Sequence, residues 1–448
     1  MPTYPSTATL TNASVNVLNA IRNEASINYQ QYIPYATPDA DSIRSIGATL
    51  MDYPALMNEF LPALIGRIGR VAVTSRLYNN PLAALKKGIL DYGETIEDIF
   101  IAMAEPYEYD PDDAEETLYK RYAPDVKSTF YTINYRKFYP VTIQEQDLRR
   151  AFLSADSLTD FYTKVIEQLY TGAYADEFLA TKYMIAKNIL DGKMHAEEIT
   201  ADSKEIAKKI RAVSNKFTFM STEYNIAGVN TYSDRSKQYI LVNADFDAAL
   251  DVDVLAYAFN MDRADVTARK IVIDSFGALD NARLAKLFKN DPNYTEISAA
   301  NLAKLDKVAA VLIDEDFTQI YDNLLTIRDE KNGKGLYTNY FLHNWKTFAV
   351  SPFANNAVLV QGTPAVTGVA VSPSSVSAKV GDEVRLSAKV TTDNFASQKV
   401  IWTSSNAKVT VNAAGVVSIG TGASGSVTIT ATSVANPTKK GTATIAVS

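Results

Sequence analysis

The residues best placed to do chemistry are carboxylates at the ends of apolar runs: Asp274 in "IVIDS", and Asp314, Glu315 and Asp316 in "VLIDED". Groups set just beyond a buried strand can act as general acid and base. No histidine lies near them in the chain to complete a proton relay, and Asp or Glu after a strand ordinarily caps a loop. The run "DPDDAEE", Asp110 to Glu116, offers clustered oxygen ligands. An EF-hand loop needs glycine at its sixth position, where Glu115 stands. The run therefore reads as a solvated charged tip. "EKNGKG" lacks the G-x-x-x-x-G-K-[ST] spacing that cradles phosphate, so Gly333 and Gly335 read as hairpin glycines.

The chain has no cysteine and two histidines, His195 and His343, far apart in sequence. That excludes zinc fingers, thiol nucleophiles, iron–sulfur clusters and a disulfide framework. Nothing in the sequence forms a catalytic, cofactor or metal site. Lys204, Lys208, Lys209, Arg211 and Lys216 share one helical face opposite Ile206, Ile210 and Val213. Nucleic acid could use such a face, but solvated amphipathic helices commonly look the same. The net charge of -7 and pI near 5.2 argue against a surface built wholly to hold phosphate. The first basic residue is Arg22, with no continuous apolar stretch before it, so no secretory signal and no membrane span are expected.

The elements that carry these residues fall into two parts. All 26 Tyr, all 8 Met and both His precede Gln361. From Gly362 onward there are seven Lys/Arg and three Asp/Glu, which leaves -11 on the preceding residues. "QGTPAVTG" reads as a linker between a body, 1–361, and a C-terminal module, 362–448. In the module, "DEVRLSAKVTT", "GSVTITATS" and "GTATIAVS" alternate with period two, which predicts about seven antiparallel strands in a β-sandwich. Leu386, Val427 and Ile429 belong to its core, and Trp402 is expected to fill its centre.

In the body, helical spacing runs through "SLTDFYTKVIEQLYTGAYADEFLATKYMIAKNIL". It predicts a spine over about 157–190, roughly 50 Å long at 1.5 Å per residue, closed by Gly192. Ahead of it, "EDIFIAMAEPYEY" and "STFYTINYRKFYP" read as a long β-arm whose tip is Asp110, Asp112, Asp113, Glu115 and Glu116. Tyr131, Ile133 and Tyr135 form the predicted packing face. Such an arm cannot bury its own faces and is expected to lie on a neighbouring subunit. After the spine, "KQYILVNADF", "ARKIVIDSFG" and "KVAAVLIDED" alternate with helical stretches in an α+β core, and Asn332-Gly333 marks a returning hairpin.

The module's "VGD" at Val380–Asp382, "WTSSN" at Trp402–Asn406 and "GVV" at Gly415–Val417 resemble a bacterial Ig-like domain of group 2. The order of parts in the body resembles the Hong Kong-97 phage capsid fold. "YPVTIQEQDLRRAF", "YILVNADFDAALDVDVLAYAFN" and "NWKTFAVSPFANNAVLV" look like its flanking strands. The whole chain resembles the major capsid proteins of short-tailed Bacillus phages of the phi-29 type. The resemblance implies an N-arm, an extended loop at about 97–140, and an axial domain at about 205–325. It implies a structural protein, not an enzyme, that self-assembles as hexamers and pentamers into a prolate icosahedral head. The implied partners are a scaffolding protein, a portal or connector at one vertex, and packaged double-stranded DNA held by weak non-specific contact. Head fibres or the host surface would meet the module, which would sit outside. The virion would be assembled in the host cytoplasm, with no membrane partner. The rival readings are a tail or decoration protein, a surface adhesin, or an enzyme with a binding appendage.

Overall fold

The computed structural model describes residues 7–72, 78–90, 95–109, 119–144, 157–200, 203–247 and 269–447. Its axis is one continuous spine helix, Ser157–Leu190, of 34 residues, about 51 Å at 1.5 Å per residue. Three- and four-residue steps place Leu169, Ala173, Ala180 and Tyr183 on its buried side. Gly192 ends it at φ +61°, a turn that residues with a Cβ resist. The Gly192 amide donates to the Ile189 carbonyl at 3.0 Å and the Lys193 amide to the Asn188 carbonyl at 3.1 Å. These two bonds satisfy carbonyls that the helix end would otherwise leave bare.

Four helices, α1 (Thr7–Glu24), α2 (Ile27–Tyr32), α3 (Ala40–Asp52) and α4 (Pro54–Ala72), precede the strands. They bury Ile21, Tyr29, Ile43, Ile46, Leu50 and Phe60 in a separate cluster that also takes Ile143 and Tyr340. The body's strands are β1 (Gly88–Ile89), β2 (Thr95–Ile101), β3 (Val126–Thr132), β4 (Tyr135–Gln144), β5 (His195–Ile199), β6 (Gln238–Asn243), β7 (Lys270–Ile273), β8 (Val308–Asp314), β9 (Thr318–Asn332), β10 (Tyr337–Val350) and β11 (Asn356–Gln361). They form a β1-β9-β10-β4 sheet, an axial β5-β11-β8-β6-β7 sheet and the β2–β3 ribbon.

In the axial sheet β8 is buried at every position, as a strand covered on both faces must be. Val311 and Ile313 join the spine-side cluster with Ile189 and Phe276. Ala310 and Leu312 join Ile206, Ile210 and Val213 of the helix Ser203–Phe217 on the other face. The result is a helix–sheet–helix stack, within an α+β fold. Salt bridges fasten the spine to the neighbouring sheet. Glu177 and Lys346, each with 2% of its side chain exposed, meet at 2.6 Å. Lys346 also pairs with Asp322, while Lys86 reaches Asp322 at 2.5 Å and Glu177 at 3.3 Å. Asn80 donates to the remaining Glu177 oxygen at 2.8 Å, so the buried charges are compensated.

Several sequence-based boundaries are corrected. The stretch expected as an extended loop at about 97–140 ends in two strands, β3 and β4, that join different sheets. The ribbon stops at Thr132, and β4 runs beside β10 with Tyr135 opposite Lys346. The chain turns at Ile133–Asn134, where Asn134 and Phe348 exchange hydrogen bonds of 2.7 and 2.9 Å. The axial sheet does not end at 205 and 325: it recruits β5 before that span and β11 after it, while β9 leaves for the other sheet. The hairpin at Asn332 closes through Gly333–Leu336, with Asn332 Oδ1 accepting from the amides of Lys334 and Gly335.

The C-terminal module comprises β12 (Ala365–Ser372), β13 (Ser375–Ala378), β14 (Glu383–Arg385), β15 (Ser387–Asp393), β16 (Val400–Ser404), β17 (Val409–Val411), β18 (Val416–Ile419), β19 (Gly425–Ser433) and β20 (Lys440–Val447). A β13-β20-β19-β16 sheet faces a β14-β18-β17 sheet across Leu386, Val427 and Ile429, all buried. Trp402 does not fill the centre. It is half-buried at the side of this core, against Gly415, where a Cβ would come within 3.2 Å of its ring.

Candidate subunit interface

The β2–β3 ribbon is lightly covered, and its two faces differ. Register sets Ile96 opposite Tyr131, Asp98 opposite Thr129 and Phe100 opposite Lys127 on the inner face. There Asp98 Oδ2 accepts from the Tyr131 hydroxyl at 2.8 Å and the Ser351 hydroxyl at 2.6 Å. Phe100 stacks on Phe353 with ring centroids 5.6 Å apart. Burial, reinforced by the Asp98 carboxylate, pushes the Tyr131 phenol far above its ordinary pKa. That side is already occupied by its own chain.

The outer face carries Ile99 (52% exposed), Ile101 (64%), Val126 (48%) and Phe130 (59%). Farther out, Tyr107 and Tyr122 pack at 4.7 Å with Lys120 above both rings, and Met103 is exposed. A two-stranded ribbon is marginal alone. Contiguous apolar side chains held in water mark a surface made for contact.

The sequence-derived contact residues are scattered through the fold. Tyr131 and Tyr135 are both buried within their own chain. Tyr131 lies under the ribbon, and Tyr135 is 1% exposed in the main core against Phe348 and Phe288. Its hydroxyl hydrogen-bonds that of Tyr139 at 2.7 Å, and Tyr139 donates to Asp176 at 2.8 Å. Ile133 is half-buried in the turn between β3 and β4. Asp110, Asp112, Asp113, Glu115 and Glu116 lie outside the described residues. Ile99, Ile101, Val126 and Phe130, which sequence reasoning did not single out, are the exposed apolar residues of the ribbon's outer face. Period two separates Phe130 from Tyr131 but does not say which of two adjacent aromatics meets the body.

The other candidates resolve into structural pairs. Asp274 holds Lys182 at 2.7 Å, Glu315 faces Lys237 at 3.4 Å and Asp316 meets Lys87 at 2.5 Å. Asp314 is 6% exposed, and burial raises its pKa. Of the basic face, Lys208 pairs with Glu205, and both Lys209 and Lys216 converge on Glu197. His195 lies 3.5 Å from Glu197 and stacks edge-on against Tyr224. His343 sits in β10 beside Phe138. Among the described residues no group of three or more His, Asp or Glu is set to hold a metal, and no helix is long and apolar enough to cross a membrane.

A long spine against an axial sheet, with a ribbon reaching out beside it, defines a phage-capsid shell subunit of the Hong Kong-97 type. The same fold occurs in the capsid structure of Staphylococcus phage Andhra, at a TM-score of 0.51 and 18% identity, over 64% of this chain and 86% of that one. Residues 18–360 match Phi29-like phage major capsid protein, and the chain belongs to that family. Residues 365–443 match Bacterial Ig-like domain (group 2). The major capsid protein of Bacillus phage PZA is 33% identical over 87% of this chain and 82% of its own length. That of Bacillus phage B103 is 33% identical over 94% and 90%. The protein is a major capsid protein of a tailed phage, a virion component that self-assembles into a shell, and the capsid relatives that match most of its length are structural proteins rather than enzymes.

Proposed function

We propose that the outer face of the β2–β3 ribbon is the surface by which one shell subunit grips the next. The observation that carries this is the contrast between its faces: Asp98, Phe100 and Tyr131 are engaged by the same chain, whereas Ile99, Ile101, Val126 and Phe130 stand in water. A neighbouring copy covers them, and closure of the shell sums many such modest burials over symmetric contacts. The acidic run at 110–116, read from the sequence as the tip of the arm, pairs in this proposal with basic groups on that neighbour.

In this reading residues 1–361 tile the shell as hexamers and pentamers, and 362–448 form a separate unit on the outside, open to head fibres or the host surface. Assembly runs in the host cytoplasm around a scaffolding protein and a portal at one vertex. The support is family membership. The charge of -11 on the body makes a weakly adhesive wall against which packaged double-stranded DNA slides. Paired replacements Ile99→Asp and Ile101→Asp test the arm. Sedimentation and electron microscopy, with candidate scaffolding protein present, should find folded subunits and no shells. Shells in wild-type yield would dispose of the proposal.

A further inference from the structure

The module is joined to the body by three residues, Gly362, Thr363 and Pro364, between β11 and β12. A tether that short looks like a hinge, yet it is pinned on both sides. The Thr363 hydroxyl donates to Glu198 of β5 at 2.7 Å, and the Asn394 amide donates to the Thr363 carbonyl at 3.1 Å. Asn394 opens the loop between β15 and β16, and this loop divides its apolar side chains: Ala396 stays with Val366 and Val390 of the module, while Phe395 leaves it. Phe395 is 6% exposed and belongs to the body's main apolar cluster, with Ile189 and Met194 on either side of Gly192. Asn394 and Phe395 both sit at positive φ, 48° and 60°, a conformation that side chains with a Cβ resist unless neighbours enforce it.

The next residues meet the end of the spine. A Cβ added to Gly192 would come within 2.8 Å of the Ala396 carbonyl oxygen and of the Gln398 side chain. The Gln398 amide donates to the Gly192 carbonyl at 3.4 Å. The Lys399 ammonium donates to the backbone carbonyl of Asn225, and burial holds its pKa below the ordinary lysine value, with Glu223 opposing the shift. Gly192 thus has two duties: it turns the helix end, and it leaves the space into which the loop fits.

We propose that Asn394–Lys399 is a clamp that fixes the Ig-like module in one orientation on the C-terminal end of the spine helix, with Gly192 as its seat. The module then moves with the shell tile, and its direction is set by this contact instead of by the short tether. Freeing the loop releases the module to swing about residues 362–364 without unfolding either part.

Hydrogen exchange by mass spectrometry on the full, unassembled chain tests the clamp. With Phe395→Ala, exchange should quicken about a hundredfold or more over 192–199 and 394–399, given what truncating a buried aromatic usually costs. Strands β19 and β20 should keep wild-type protection. Lys399→Met retains the apolar anchor and guards against a Phe395 variant that fails to fold; it should quicken the same segments by about tenfold. Unchanged protection there in folded variants would overturn the clamp. So would loss of protection in β19 and β20 alongside it, since the loop would then serve only the module's interior.

Discussion

The spine and the arm are built from similar residues, rich in tyrosine and branched aliphatics, and they spend them in opposite ways. Along the spine, Tyr183, Ile185, Ala186 and Ile189 are all buried, and Glu177 and Asp176 find cationic or hydroxyl partners within the same chain. The arm leaves Ile99, Ile101, Val126 and Phe130 uncovered. A monomeric enzyme of this size would gain by burying them. A shell subunit needs a saturated interior that keeps its shape and an unsaturated edge whose partner is another copy. The difference between the two regions therefore locates the function more directly than any polar cluster does.

The contrast breaks most severely where the spine is tied to its sheet. Removing the Lys346 ammonium leaves Glu177 and Asp322 with Lys86 as their remaining lysine partner, in a site where Glu177 and Lys346 are each 2% exposed. Lys346→Ala should cost about 3–5 kcal/mol, as for other buried pairs that lose one partner. Urea unfolding of the unassembled chain measures it. A loss under about 1 kcal/mol would mean that the network contributes little to holding the spine.

A milder change concerns Glu197, which anchors the helix Ser203–Phe217 to β5. Its hydrogen bond with His195 is the main cause of a carboxyl pKa well below the usual range. Burial opposes that shift, while the Lys209 and Lys216 ammonium groups reinforce it. Because the folded pKa is depressed, this stabilisation is fully present above the unfolded value near 4.5 and is lost as pH falls below it. Glu197→Gln should cost about 2 kcal/mol at pH 7. It should also flatten the decline of stability between pH 5 and about 3. A variant whose acid limb parallels the wild type would place the linkage elsewhere.

The spine could be read in advance because three- and four-residue periodicity persists over a 34-residue helix, and Gly192 closes it. Strand β8 was equally legible as an unbroken apolar run with a polar stop. The four N-terminal helices were not. Their apolar stripe is interrupted by the Ser26 cap and by Pro54, and the cluster closes only with Ile143 and Tyr340 from distant strands. Trp402 failed for a related reason: it was assigned by size, whereas the close approach of Gly415 and the narrow β14-β18-β17 sheet admit it only at the side. The clamp was illegible altogether, since nothing in "TTDNFASQK" says that Phe395 leaves its own domain.

On the arm, two neighbouring residues separate the expected packing face from the exposed one, and the same pair gives the sharpest test. Phe130 and Tyr131 are consecutive in β3 and point to opposite sides. Tyr131 hydrogen-bonds Asp98 beneath the ribbon, and Phe130 is 59% exposed above it. Tyr131→Phe should cost the subunit about 1 kcal/mol, the usual net worth of one hydrogen bond, and shells should still close. Phe130→Ser should change subunit stability by less than about 0.5 kcal/mol, as exposed substitutions do. Its effect should appear only in assembly, as a rise in the subunit concentration needed to form shells. Thermal melts and sedimentation of the two variants side by side separate the consequences. If Phe130→Ser destabilises the subunit as much as Tyr131→Phe does, the outer face is part of the fold itself, and the partner must be sought on another surface.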